Sequence, residues 1–146
     1  MDGLLGGFSA LMSPDLWALM LVGVVVGIIF GAIPGLSATM AIVLFLPITF
    51  SLNVYQAFTL LVALYIGGVS GGLISAILIN IPGSAMSIAT CYDGHPMAES
   101  GHAKRALGIG IVFSFLGTIF SLIIMIVAAP TLADFAVGLS AYEFFA

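Results

Sequence analysis

Two tripeptides in the sequence permit unusual backbone chemistry. Ile33-Pro34-Gly35 is followed by Leu36-Ser37-Ala38-Thr39, and Ile81-Pro82-Gly83 by Ser84-Ala85-Met86-Ser87, with 48 residues from one to the other. Proline lacks a backbone donor, and glycine adopts dihedrals closed to other residues. Each tripeptide sits inside an apolar stretch free of Asp, Glu, Lys and Arg. A backbone broken at membrane depth bares N–H and C=O groups that lipid cannot satisfy. Such breaks persist only inside protein or beside a wet cavity. Helix N-termini at a break attract an anion, and freed carbonyls can hold Na⁺. The hydroxyls of Ser37, Thr39, Ser84, Ser87 and Thr90 stand close behind the two breaks. Matching Pro/Gly interruptions are the sequence pointer to a secondary transporter's binding site. A Pro-Gly pair also ends a helix at a membrane surface, and the pattern alone admits both readings.

The remaining candidates carry less. Asn80, between Ile79 and Ile81, needs a polar partner if it lies within the bilayer. Asp93, His95, Glu99 and His102 match no compact metal-ligand spacing and read as a solvated loop, with Asp93-Gly94 as a turn. Gly67-Gly68-Val69-Ser70-Gly71-Gly72 lacks the Lys of a phosphate loop and lies in an apolar helix. No Ser-His-Asp or Cys-His arrangement is available within the apolar region, so an intramembrane hydrolase is poorly supported. Cys91, the one cysteine, forms neither an internal disulfide nor a cysteine-rich metal site.

The elements that must hold these residues follow from composition. Of 146 residues, 62% are apolar and 5% charged, against about 25% charged in a soluble domain. Mean hydropathy is +1.35. A soluble enzyme, a disordered tail and a nucleic-acid binder are excluded; two basic residues cannot hold a phosphate backbone. Residues 16–92 and 106–133 contain no charged side chain, and a crossing needs about 20 apolar residues. The fold class is therefore all-α: a multispanning integral membrane protein with three to four transmembrane helices and two Pro-Gly breaks.

The expected spans are about 16–33, 36–50, 55–80 and 106–129, with a polar loop over 93–105 and Pro130 ending the last span. Ser13 and Asn53 are expected N-caps, and Trp17 an interfacial aromatic. Residues 1–14, with Phe8, Leu11 and Met12, read as an interfacial lead, and 131–146 as an interfacial connector. Asp2 and the absence of a basic start argue against a cleaved signal. Gly23, Gly27, Gly31 and Gly35 share one helix face; Ala63, Gly67, Gly71 and Ser75 share another, beside Gly68, Gly72 and Ala76. Such faces let backbones approach closely. The segment 36–50 is short for a crossing. Lys104 and Arg105 place the 93–105 segment in the cytoplasm; the N-terminus is then outside if 36–50 spans and inside if it is re-entrant.

Two stretches carry a family resemblance. One is Gly31-Ala32-Ile33-Pro34-Gly35-Leu36-Ser37 with the apolar run to Leu46-Pro47. The other is the ordered set Gly71-Gly72, Ala76-Ile77-Leu78-Ile79-Asn80-Ile81-Pro82-Gly83-Ser84, Thr90, Asp93-Gly94-His95-Pro96-Met97-Ala98, Gly101 and Arg105-Ala106-Leu107-Gly108. Together they resemble the large membrane subunit, TctA, of the tripartite tricarboxylate transporters. The resemblance implies a multi-pass permease of the bacterial inner membrane, working with a small TctB-like membrane subunit and a periplasmic, TctC-like solute-binding protein. It implies uptake of a carboxylate such as citrate driven by a Na⁺ or H⁺ gradient, without ATP, cofactor or metal. The positions it carries over are Pro34, Gly35, Ser37, Thr39, Asn80, Pro82, Gly83, Ser84, Thr90, Asp93 and Gly94. Family members are longer, so the chain reads as the N-terminal part of an inverted-repeat transporter. Around Glu99-Ser100 the family more often has basic residues. The alternative is an assembly subunit whose glycine faces dock another membrane protein.

Overall fold

The computed structural model describes Gly7 and residues 13–137, the side chains of 133–137 excepted. The lead with Phe8, Leu11 and Met12 and the stretch from Gly138 onward lie outside the described residues. Within residues 13–137, five α-helices follow in order: α1 Pro14–Ala32, α2 Ala38–Thr49, α3 Val54–Ile79, α4 Ile88–Met97 and α5 Ala103–Val137. A 3₁₀ turn, Ala85–Ser87, precedes α4, and a π-helical turn, Ala98–His102, joins α4 to α5. The described residues contain no strand. Three helical stretches are long and apolar enough to cross a membrane: α1, α3 and one within Ala85–Leu132.

The glycine faces set the packing of the described residues up to Gly108, in the first of two compact units. Gly23 faces Leu60 and Ala63, Gly27 faces Leu64 and Gly67, and Gly31 faces Gly68. The numbers rise together, so α1 and α3 run parallel. A methyl group on Gly27, Gly31, Gly67 or Gly71 would strike the facing backbone carbonyl: Leu64, Gly68, Val24 or Ile28 respectively. Close backbone approach of this kind is how helices associate where lipid offers no hydrophobic gain.

Helix α2 turns back. Its first residue, Ala38, lies against Gly68. Farther along, Ala41 joins Leu60 and Leu64 in a small core that Phe45 and Leu52 flank. Twelve residues rise about 18 Å, well short of a hydrocarbon core of about 30 Å. So α2 is a half-helix returning from the first break, and α1 and α2 form a hairpin. Gly68 lies about 21 Å along α3, with about 16 Å of helix still to run. The hairpin tip therefore meets α3 in its interior rather than at its end.

Caps follow the local sequence, with one exception. Asn53 and Gln56 form a reciprocal capping box at the start of α3, at 3.0 and 3.2 Å. Ser37 Oγ accepts the Met40 N–H at 3.1 Å to start α2. Ser13 stands at the N-cap position of α1, but its side chain makes no cap bond.

Two expectations are corrected. The segment 93–105 is helical, not a loop. Asp93, Gly94 and Pro96 lie within α4, and the chain kinks between α4 and α5 at Gly101, which takes φ +85°. Pro130 does not end the last helix, since α5 continues to Val137. Proline there removes the bond to the Ile126 carbonyl, a loss that membrane helices tolerate. In the second unit, from residue 109, every side chain from Ile111 to Val127 is exposed. Apolar on all sides, this part of α5 has the character of a membrane-embedded helix.

Candidate functional site

The first break is a type II turn. Leu36 N–H bonds the Ile33 carbonyl at 3.1 Å, Pro34 occupies the second position and Gly35 the third, at φ +92°. Pro34 and Gly35 are exposed, and a methyl group on Gly35 would meet nothing within 4 Å. Beyond the turn, Ser37 caps α2 and Thr39 is exposed on its first turn. The Ala38 and Thr39 N–H groups come before the first intrahelical bond, Ala41 N–H to the Ser37 carbonyl at 3.1 Å.

The second break is built differently. Asn80 ends α3 in the left-handed conformation, φ 54° and ψ 29°. The chain then folds back along α3. A methyl group on Gly83 would lie 2.5 Å from the Gly31 carbonyl oxygen, 2.7 Å from the Gly72 Cα and 3.0 Å from Ser75 Oγ. Ser75 itself is buried and donates to the Gly72 carbonyl at 3.0 Å. Ser84 comes next to Gly72. The Ser84 N–H donates to Ser87 Oγ at 3.1 Å, and Ser87 Oγ donates to the Ser84 carbonyl at 2.8 Å. The second break thus descends to the level where α1 ends, and the two breaks, distant in sequence, flank the bare Gly68–Gly72 stretch of α3.

Of the candidate residues, Ser37, Gly83, Ser84 and Ser87 occupy this junction or cap the helices that leave it. Thr90 lies in the first turn of α4, its methyl group beside Gly94. Asp93 is exposed on the outer side of α4 and belongs to neither break. Asn80 and Pro82 line an open groove of about 510 Å³ along the second break.

That groove contains residues the sequence pattern did not single out as a site. Cys91, Tyr92, His95 and Glu99 share it with Asn80 and Pro82. His95 Nδ1 lies 3.0 Å from the Ile77 carbonyl, one of the orphan acceptors at the end of α3. Ile77 is almost fully buried, and Gly94 admits α4 against it: a methyl group there would stand 2.9 Å from Ile77 Cγ1. His95 Nε2 stands 3.6 Å from Glu99 Oε1. The Gly94-His95 pair was visible as a sequence motif, but nothing local showed that the imidazole reaches a carbonyl 18 residues back. Among the described residues no group of three His, Cys, Asp or Glu side chains is placed to hold a metal ion.

The junction offers first-turn amides, serine hydroxyls and an αL carboxamide, with no fixed cation among the groove residues. Such a set can bind an anion through oriented dipoles. The family described as the tripartite tricarboxylate transporter TctA family matches residues 17–146. An uncharacterized 52.8 kDa protein in the TAR-I ttuC' 3' region of Agrobacterium vitis is 36% identical over 140 residues, covering 96% of this chain. The chain spans 28% of the length of that relative. No solved structure matches this chain.

Proposed function

The chain belongs to the TctA family of the tripartite tricarboxylate transporters, and from that premise we propose that it carries part of the anion path of a carboxylate permease. The observation that carries this reading is the convergence of two interrupted helices on Gly68–Gly72. Gly83 approaches the Gly31 carbonyl there, and Ala38 lies on Gly68. Two backbone breaks at one level of a spanning helix, the first exposed at Pro34-Gly35 and the second half-buried at Gly83-Ser84, are the arrangement by which secondary carriers grip a substrate without fixed charges.

In this reading the first-turn amides of α2, with Ser37 and Thr39, face one side of a carboxylate such as citrate. Ser84, Ser87 and Thr90 stand behind the second break, with Asn80, Pro82 and Gly83 shaping it. Uptake is driven by a Na⁺ or H⁺ gradient, without ATP or catalysis. The full carrier works in the bacterial inner membrane with a small membrane subunit and a periplasmic solute-binding protein. The assembly alternative draws less support, because the glycine faces that motivated it pack against each other: Gly27 on Gly67, and Gly31 on Gly68 and Gly71.

Citrate binding and uptake by variants at the α2 start test the proposal. Ala38→Pro removes one amide donor at a helix position that accepts proline, and Thr39→Val removes a hydroxyl. A bond to a charged partner contributes about 1.5–3 kcal/mol. Ala38→Pro is therefore expected to weaken citrate binding by roughly tenfold or more, with some loss of thermal stability because Ala38 is buried against Gly68, and Thr39→Val, at an exposed position, to weaken it by less with thermal stability retained. Saturable citrate uptake with unchanged affinity in both variants would remove the α2 start from the site.

A further inference from the structure

The groove beside the second break contains a titratable group in a defined tautomer. A carbonyl oxygen only accepts, so the 3.0 Å contact with the Ile77 carbonyl requires the hydrogen on His95 Nδ1. The neutral ring then presents the Nε2 lone pair to the Glu99 carboxylate at 3.6 Å, acceptor against acceptor. Adding one proton at Nε2 turns this into an ion pair and leaves the Nδ1 bond in place. The half-buried imidazole is thereby fixed at one end and charged at the other.

The surroundings make that charge consequential. Besides His95, the titratable groups facing the groove are Cys91, Tyr92 and Glu99, on α4 and the π-helical turn. From α3 and the break come Asn80 and Pro82, which do not titrate, and the 3₁₀ turn Ala85–Ser87 adds none. His102 is exposed, with Nδ1 3.2 Å from Ser100 Oγ, and does not line the groove; neither do Lys104 and Arg105. Among the described residues, protonated His95 is thus the one cation that the groove can present.

We propose that His95 is a proton-binding site loaded together with the carboxylate. Protonation at Nε2 supplies the charge that an incoming carboxylate pairs with, and Glu99 holds that charge until the substrate displaces it. This rests on the carboxylate reading above and names H⁺ as its coupling ion. Linkage makes the effect reciprocal: an anion that binds the imidazolium raises the affinity of His95 for its proton by the factor by which protonation raises affinity for the anion.

The experiment follows both imidazole C2 protons by NMR in the detergent-solubilised full chain across pH, with and without saturating citrate, alongside citrate binding by calorimetry. Citrate is expected to move the His95 midpoint upward and leave that of His102 in place. The citrate dissociation constant, corrected for the acid's own titration, should rise about tenfold per pH unit above the His95 midpoint. His95→Asn keeps an amide donor for the Ile77 carbonyl but cannot be charged; it should bind citrate at least tenfold more weakly below the midpoint measured for His95 in the unsubstituted chain, and lose the slope. Glu99→Gln removes the competing carboxylate and should bind severalfold more tightly at a pH below its own measured His95 midpoint. Saturable citrate binding with a fixed His95 midpoint, or with equal affinity in His95→Asn, overturns the proton site and leaves the carboxylate reading standing. Failure of the wild-type chain to bind citrate saturably at any pH overturns both. The NMR arm needs no variant, so a misfolded substitution cannot protect the idea.

Discussion

At the first break, Gly35 turns the chain at φ +92° in open space, and Pro34 beside it is exposed. At the second, Gly83 has an ordinary negative φ, and the left-handed position falls to Asn80, three residues earlier. Gly83 is needed instead for its missing side chain, because the Gly31 carbonyl and the Gly72 backbone occupy the space a Cβ would take. One tripeptide therefore answers two different demands. The first glycine is selected by a dihedral angle, the second by a close approach. Identical sequence signals of broken helix do not imply identical structure, because the tertiary surroundings decide which property of glycine is used.

Substitutions separate the two demands. The largest effect is expected at Gly83. Gly83→Ala must displace backbone on two sides, which costs about 2 kcal/mol or more, and Gly83→Leu should prevent the folded state from forming; thermal unfolding in detergent measures both. At Gly35 the cost is conformational, about 1–2 kcal/mol for any side chain in the left-handed region. Gly35→Ala and Gly35→Leu should therefore destabilise alike. A strong size dependence at 35, or none at 83, would break the distinction. The smallest effect belongs to the cap that starts α2. Ser37→Ala should cost about 1 kcal/mol, and Ser37→Asp, which restores the acceptor, should recover it in the same melting assay.

Legibility differed in the same way along the chain. The Pro34-Gly35 turn was readable because its cause is local: proline fixes one angle and glycine permits the next. The Asn53 cap was readable for the same reason, its partner Gln56 being three residues away. The helical state of 93–105 was not readable. Asp93-Gly94 and Pro96 are turn signals in isolation, yet Gly94 is there to admit Ile77, Pro96 stays within α4, and the chain kinks only at Gly101. His95 was passed over because Asp93, His95, Glu99 and His102 match no compact ligand spacing and read together as a solvated loop. Pro130 misled in the opposite direction, since the membrane setting tolerates what would end a soluble helix.

The amino-acid sequence by itself determined the membrane class, the all-helical fold, the places where helices break and the family. These depend on composition and on backbone properties that each residue carries with it. The tertiary structure alone decided that the two breaks meet, that α2 turns back as a half-helix, and that His95 reaches Ile77. Those contacts depend on the register of α1 against α3, which is set by glycine faces interlocking across more than thirty residues of chain. Spacing marks such faces as small, but only packing fixes which glycine meets which carbonyl.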